Sequence, residues 1–196
     1  MIAAAGLTFF QACGNGSGNQ DSVDSAKEIN HDKDTSSMNN MPDSNTTAMS
    51  TTPVDKSDAD FAVDIANAGM TEIALGKMAN DKAMDQRVKN FAAMMITDHT
   101  KAAENLQRIA SAKNIALPAT LGDDAKKDSA DLSKKSGADF DKAYMKLMVN
   151  GHEKVQKKLE KAVNDCKDPD LKSFATSTLP VVTMHLDSAK AISNKK

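Results

Sequence analysis

Three histidines, His99, His152 and His185, have the residue type and spacing to do chemistry, and Glu72 joins them. Each of the four falls on the apolar stripe of a different helical segment. Neutral imidazole is a ligand for zinc, copper and iron, and a carboxylate can complete such a set. A helix rises 1.5 Å per residue. Counted from the turns that join the segments, all four positions lie near mid-height, within about two helical turns of one another. They form a candidate metal site of Glu72, His99, His152 and His185. Met95 and Met148 each stand four residues before a histidine, which puts thioether and imidazole on one helix face. Thioether beside imidazole favours copper, particularly Cu(I), with zinc and iron as the other candidate cofactors. Asp98 and Tyr144 are candidates to orient the imidazoles from outside the ligand set, alongside Met95 and Met148. The competing reading is a structural layer in which the histidines only satisfy buried polar contacts and the methionines fill the core.

The elements that must position these residues show a helical period from Asp58 onward. The first segment, 58–82, carries Phe61, Ile65, Ala68, Glu72, Leu75 and Ala79 on one stripe. Asp85 suits the N-cap of a second, 86–114, with Val88, Phe91, Met95, His99 and Leu106 inward. Pro118 and Gly122 interrupt the chain before a short polar helix at 123–135. A third long helix, 139–165, turns Phe140, Tyr144, Met148, His152, Val155 and Leu159 inward. Asp168-Pro169 places a capping side chain and a proline at the start of the fourth, 169–193. Inside it, Pro180 is expected to kink the helix one turn before His185. Two short-looped hairpins joined by a long, partly helical connection predict an all-α, ferritin-like four-helix bundle with a crossover between its second and third helices. Di-iron bundles draw Glu-x-x-His from two helices. Ile96 and Val182 stand where those carboxylates would be, so ferroxidase chemistry is not expected. No phosphate loop, nucleophile elbow or Cys-x-x-Cys occurs, and no catalytic residue is assigned.

Ahead of the helices the composition changes twice. Residues 1–13 form a short apolar run ending in Cys13, the pattern of a lipoprotein signal segment whose cysteine carries lipid. The run is about half the roughly 20 residues that a membrane span needs. Residues 14–57 are Ser-, Asn-, Asp- and Thr-rich, with seven acidic side chains against three lysines. So little apolar surface predicts a disordered polar linker, with His31 simply solvated. The bundle domain is then 58–196. Cys166 is left without a partner cysteine and reads as a small side chain near a helix end. The net charge of −2 offers nothing for nucleic acid.

The strings Glu72-Ile-Ala-Leu-Gly76, Val88-Lys-Asn-Phe-Ala92, Met95-Ile-Thr-Asp-His99-Thr, Leu171-Lys-Ser-Phe-Ala175 and Leu179-Pro180, with Tyr144, His152 and His185 at their spacing, carry a family resemblance. Residues 58–193 resemble a bacterial family of unknown function, domain of unknown function family 4142. Its members are labelled outer-membrane proteins and placed among ferritin-like bundles. The resemblance implies an exported helical domain and supplies no reaction. No run of alternating ~10-residue strands points to a β-barrel. The expected protein is a lipid-anchored component of the bacterial cell envelope on the periplasmic side, more suited to the outer membrane than the inner. It touches the membrane through Cys13, leaves its protein partners undefined, and holds a metal ion in its core. The alternative is a structural or stress-related interaction module. Growth with a labelled fatty acid should tag the wild-type protein and not Cys13→Ala; an untagged wild type would remove the anchor.

Overall fold

The computed structural model describes residues 20–37 and 54–194, and the described chain is all-α. Six helices follow in order: α1 Ser22–Ser37, α2 Lys56–Lys82, α3 Gln86–Ala112, α4 Asp123–Ser133, α5 Gly137–Asp165 and α6 Pro169–Ser193. The expected cap residues start α3 and α6. Asp85 accepts from the Arg87 amide, and Asp168 accepts from the amides of Asp170 and Leu171 behind Pro169. The signal segment, Cys13 included, lies outside the described residues.

α2 packs on α3 and α5, and α6 packs on α3 and α5, closing a ring of four helices. Three end contacts give the directions. Buried Asp58, in the first turn of α2, accepts the amides of Lys167 and Asp168 in the α5–α6 turn at 2.9 and 2.7 Å. Lys113, at the end of α3, pairs with Asp168 and Asp170 at 2.7 Å. At the other end Asp141 accepts the amides of Met84 and Asp85 from the α2–α3 turn. Neighbouring helices are therefore antiparallel. α3 ends where α6 begins, α5 begins at the opposite end, and the 113–136 connection runs the length of the bundle. Two hairpins joined by one such crossover are the connectivity expected of a ferritin-like bundle. Gly76 lets α2 and α3 close up, since a Cβ there would meet Ile96 at 3.1 Å and the Ala92 carbonyl at 3.3 Å.

Apolar side chains divide into two clusters. Ile65, Leu106, Val155, Leu159, Phe174 and Val182 fill one end. Leu75, Phe91, Met95, Phe140, Tyr144 and Met148 fill the other. On every long helix one of the four polar candidates falls between the two clusters in sequence. Pro180 sits on the exposed face of α6, where a carbonyl freed by the missing N–H can meet water, and the helix runs on to Ser193.

The disordered linker expected over 14–57 is corrected where it is described: residues 22–37 form α1, packed on α2. Composition missed it because its docking is polar. Among the described side chains of α1, Ala26 and Asn30 alone are buried. Asn30 donates to the Ala116 carbonyl at 2.9 Å and accepts the Ala116 amide at 2.7 Å. Ser22 accepts the amides of Ala119 and Thr120, Asp21 accepts that of Asp123, and Lys27 pairs with Asp64. His31, expected to be solvated, meets Asp60 at 2.9 Å. α1 thus pins the first part of the crossover to α2. Removing a buried partner of two backbone groups costs about 1–3 kcal/mol. Asn30→Ala should therefore speed amide exchange in 20–37 and 113–122 on the order of tenfold, with the α2–α3 core unchanged. Unaltered exchange in both segments would show that α1 docks without this side chain.

Candidate metal centre

α3, α5 and α6 each deliver one imidazole to the layer between the two apolar clusters. His152 and His185 have no exposure and His99 is 7% exposed. The three rings form a near-equilateral triangle, with centroids 5.6, 5.3 and 5.5 Å apart. One ligand atom from each lies within 4.8 Å of the others. A zinc-type ion with 2.0–2.1 Å bonds draws such atoms to about 3.3 Å, a shift of each ring under about 1 Å.

Two of the three rings are held by one nitrogen and open at the other. His152 Nδ1 donates to the carbonyl of Met148, one turn back on α5, at 2.8 Å. His185 Nε2 donates to Asp98 of α3 at 3.0 Å. A carbonyl and a carboxylate only accept, so these contacts put the protons on His152 Nδ1 and His185 Nε2. The lone pairs fall on His152 Nε2 and His185 Nδ1. Those two atoms, together with His99 Nε2, Tyr144 OH and both Glu72 oxygens, are buried and make no hydrogen bond within the protein. Glu72 lies across the pair of rings, 3.1 Å from His99 Nδ1 and 3.3 Å from His152 Nδ1. An unpaired buried polar group costs about 1–3 kcal/mol. Six in one layer would rival the 5–15 kcal/mol that holds a whole domain together. The arrangement suits a cation or small polar ligand that meets several of them at once.

The other candidates divide. Asp98 neighbours His99 in sequence but turns to His185 across the helix interface. Tyr144 is fully buried and stacks on Phe140, and burial first, with the Glu72 charge next, raises its phenol. Met148 reaches His152 through its backbone oxygen, while Met95 and Met148 side chains belong to the apolar cluster around Leu75. Met184, beside His185 in sequence, is 46% exposed. The thioether signal for copper(I) thus gives way to an imidazole and carboxylate donor set. Sequence reasoning missed the Met148 carbonyl, because a backbone group leaves no residue-type signal. Cys166 caps α5, and burial, with Asp58 next, pushes its thiol up to about 12, so it is inert here.

Burial governs protonation in the layer. It pushes Glu72 up to about 8. It pulls His99 down to about 3, reinforced by His152 and His185, and His152 down to about 4 against the opposing Met148 hydrogen bond. It also lowers His185, with Asp98 opposing. The Glu72–imidazole contacts have ion-pair lengths, but lack hydrogen-bond alignment, and burial drives both partners neutral. We take the neutral pair, because the desolvation cost of two charges exceeds what a misaligned contact returns. From pH 6.5 down toward 4 the unfolded histidines bind protons that the folded ones refuse, so acidification destabilises. From about 4.5 up to 8 folded Glu72 keeps a proton that the unfolded chain has lost, so stability falls as pH rises. Three imidazoles outweigh one carboxyl below 6.5. Metal-free protein should be most stable near pH 6.5. In Glu72→Gln the decline between 6.5 and 8, at most about 1.4 kcal/mol per pH unit, should vanish from urea unfolding curves. Equal slopes in both proteins would show that Glu72 is ionised in the fold.

Residues 43–192 match the model of a family described as a domain of unknown function (DUF4142). The match takes in α2 to α5, nearly all of α6 and all four residues of the buried layer, and leaves α1 outside it. No curated protein and no solved structure matches the chain. A match over three-quarters of the sequence, spanning the bundle and its polar layer, makes the chain a member of the DUF4142 family.

Proposed function

We propose that this chain is a lipid-anchored protein of the bacterial cell envelope whose bundle core binds a divalent transition-metal ion through His99, His152 and His185, with Glu72 beside them. One observation carries the metal reading. Two rings are fixed by Met148 and Asp98 in the tautomers whose free lone pairs are buried and unpartnered, and the third ring and a carboxyl stand beside them. Backing of the non-ligating nitrogen by a carbonyl or carboxylate is what metal-bound histidines use. A layer of merely structural histidines would have its polar atoms paired. Three nitrogens and a carboxylate suit Zn(II), Cu(II) or Fe(II). The ion would supply positive charge to a layer in which burial keeps every side chain neutral. The anchor rests on Cys13 at the end of its apolar run, and no helix among the described residues is long and apolar enough to cross a membrane. We assign no reaction to the site.

Buried imidazoles that stay neutral to about pH 3–4 have no proton to give up to an entering cation. The proton an entering cation displaces is that of Glu72, so affinity should rise with pH toward 8 and persist at pH 5. Zn(II), Cu(II) and Fe(II), the last under anaerobic conditions, should be titrated separately into the chelator-treated protein. At a hundredfold excess over Kd, one of them should raise the melting temperature by about 5–10 °C. The shift should disappear in His152→Ala and His185→Ala. No shift with any ion, with the variants merely less stable, would leave the histidines structural and turn the search toward protein partners.

A further inference from the structure

A cavity of about 100 Å³ opens between α2 and α3 and ends on Glu72 and His99. Its walls are mostly small and apolar side chains, among them Ala66, Ala102, Ala103 and Leu117, with Gln107 and Thr178 as uncharged polar members. Glu72 and His99 are the only ionisable residues in the lining. Leu117 and Pro118 form the wall contributed by the crossover, the segment that α1 pins through Asn30 and Ser22. The cavity is therefore held open by a fixed frame.

Gly69 shows that the space is kept rather than left over. Glycine inside a helix is a poor helix former, and the usual compensation is a close approach that a side chain would block. That compensation applies at Gly76, where a Cβ would strike α3. It does not apply at Gly69, which lines the cavity and whose Cβ would meet nothing within 4 Å. Alanine would fit and would favour the helix. Glycine there has no packing role and leaves the passage to Glu72 and His99 wider by a side chain.

We infer that this cavity is a binding site for a small uncharged molecule, of a few heavy atoms and mostly apolar, which it admits to the Glu72 and His99 face of the buried layer. The volume decides the size: an apolar cavity of roughly 150 Å³ takes benzene or xenon, and this one is about two-thirds of that. The lining decides the charge. An ion entering would lose its water against a lining that is mostly alkyl. The few polar side chains of the lining, Glu72, His99, Gln107 and Thr178, allow a hydrogen-bonding atom on the ligand. The cavity exists without any ion, so it stands or falls apart from the metal reading.

Xenon is the probe for the apolar body, applied under pressure to the metal-free full-length protein and read by methyl NMR. Saturable shifts are expected at Ala66, Ala102, Ala103, Leu117 and Met70, with Met145 and Val149 at the far end of the bundle unmoved. Gly69→Ala should keep the saturable shifts. Gly69→Leu, whose side chain enters open space, should weaken them at least tenfold while its melting temperature stays at or above the wild-type value. Ethanol, with one hydroxyl on a two-carbon body, should bind the same methyls and be at least tenfold more effective than acetate. No saturable shift in the wild type, the same binding in Gly69→Leu, or acetate equal to ethanol would each overturn the site. Xenon binding in a protein that takes up no metal would leave the cavity standing and remove only the ion.

Discussion

Burial of three imidazoles and a carboxyl between two apolar clusters is the constraint to which the rest of the bundle answers. Water is excluded, so charge is expensive and the side chains are driven toward their neutral forms. A neutral imidazole still needs one nitrogen donated and one accepted. The bundle provides half of that. The Met148 carbonyl and the Asp98 carboxylate take the protons of His152 and His185, and the remaining lone pairs are buried without a partner in the protein. A core built only for stability would hold leucine at these positions, because well-packed apolar residues usually match or exceed a buried polar group of the same size. Keeping the polar layer costs stability, which fits a site that something else completes.

The frame around that layer uses two kinds of attachment. Within the ring of four helices, apolar stripes meet and close approach matters, as at Gly76. Outside it, α1 and the start of the crossover are attached almost wholly by polar contacts from Asp21, Ser22, Lys27, Asn30 and His31. Apolar packing is non-directional and tolerates many sequences. Hydrogen bonds from Asn30 to both backbone groups of Ala116 fix one register only. The crossover must span the bundle with a partly helical chain, so a register-setting attachment near its start also fixes the wall that Leu117 and Pro118 give to the cavity.

Much of the bundle was legible from period and punctuation. The 3.6-residue recurrence of Leu, Val, Phe, Met and Ala, the caps Asp85 and Asp168 and the break at Pro118 and Gly122 locate the five helices from residue 56 onward to within two residues at each end. They are local signals, and each helix obeys them independently. The polar layer was legible for a related reason: a histidine on an apolar stripe must be buried wherever that stripe is buried. α1 was not legible. Its sequence has the composition of a solvated chain, and what orders it are partners about 30 to 100 residues away. The methionines misled in the opposite direction. Four-residue spacing places Met95 and Met148 on the histidine face of their helices, but cannot say whether sulfur or backbone reaches the imidazole.

By itself, then, the sequence determined which faces are buried, which residue types lie on them and where the helices begin and end, because these follow from propensity and periodicity along one element. It also determined that His99, His152, His185 and Glu72 would share a height. Tertiary structure alone decided which nitrogen of His152 and of His185 is held and which is open. The Asp98 carboxylate next to His99 in the chain serves His185 instead, and Glu72 lies across two rings from two different helices. It likewise decided that Gly69 faces a cavity while Gly76 faces a backbone, although both are helical glycines seven residues apart on α2. The rotation and separation of neighbouring helices set these features, and they depend on how all four stripes pack together.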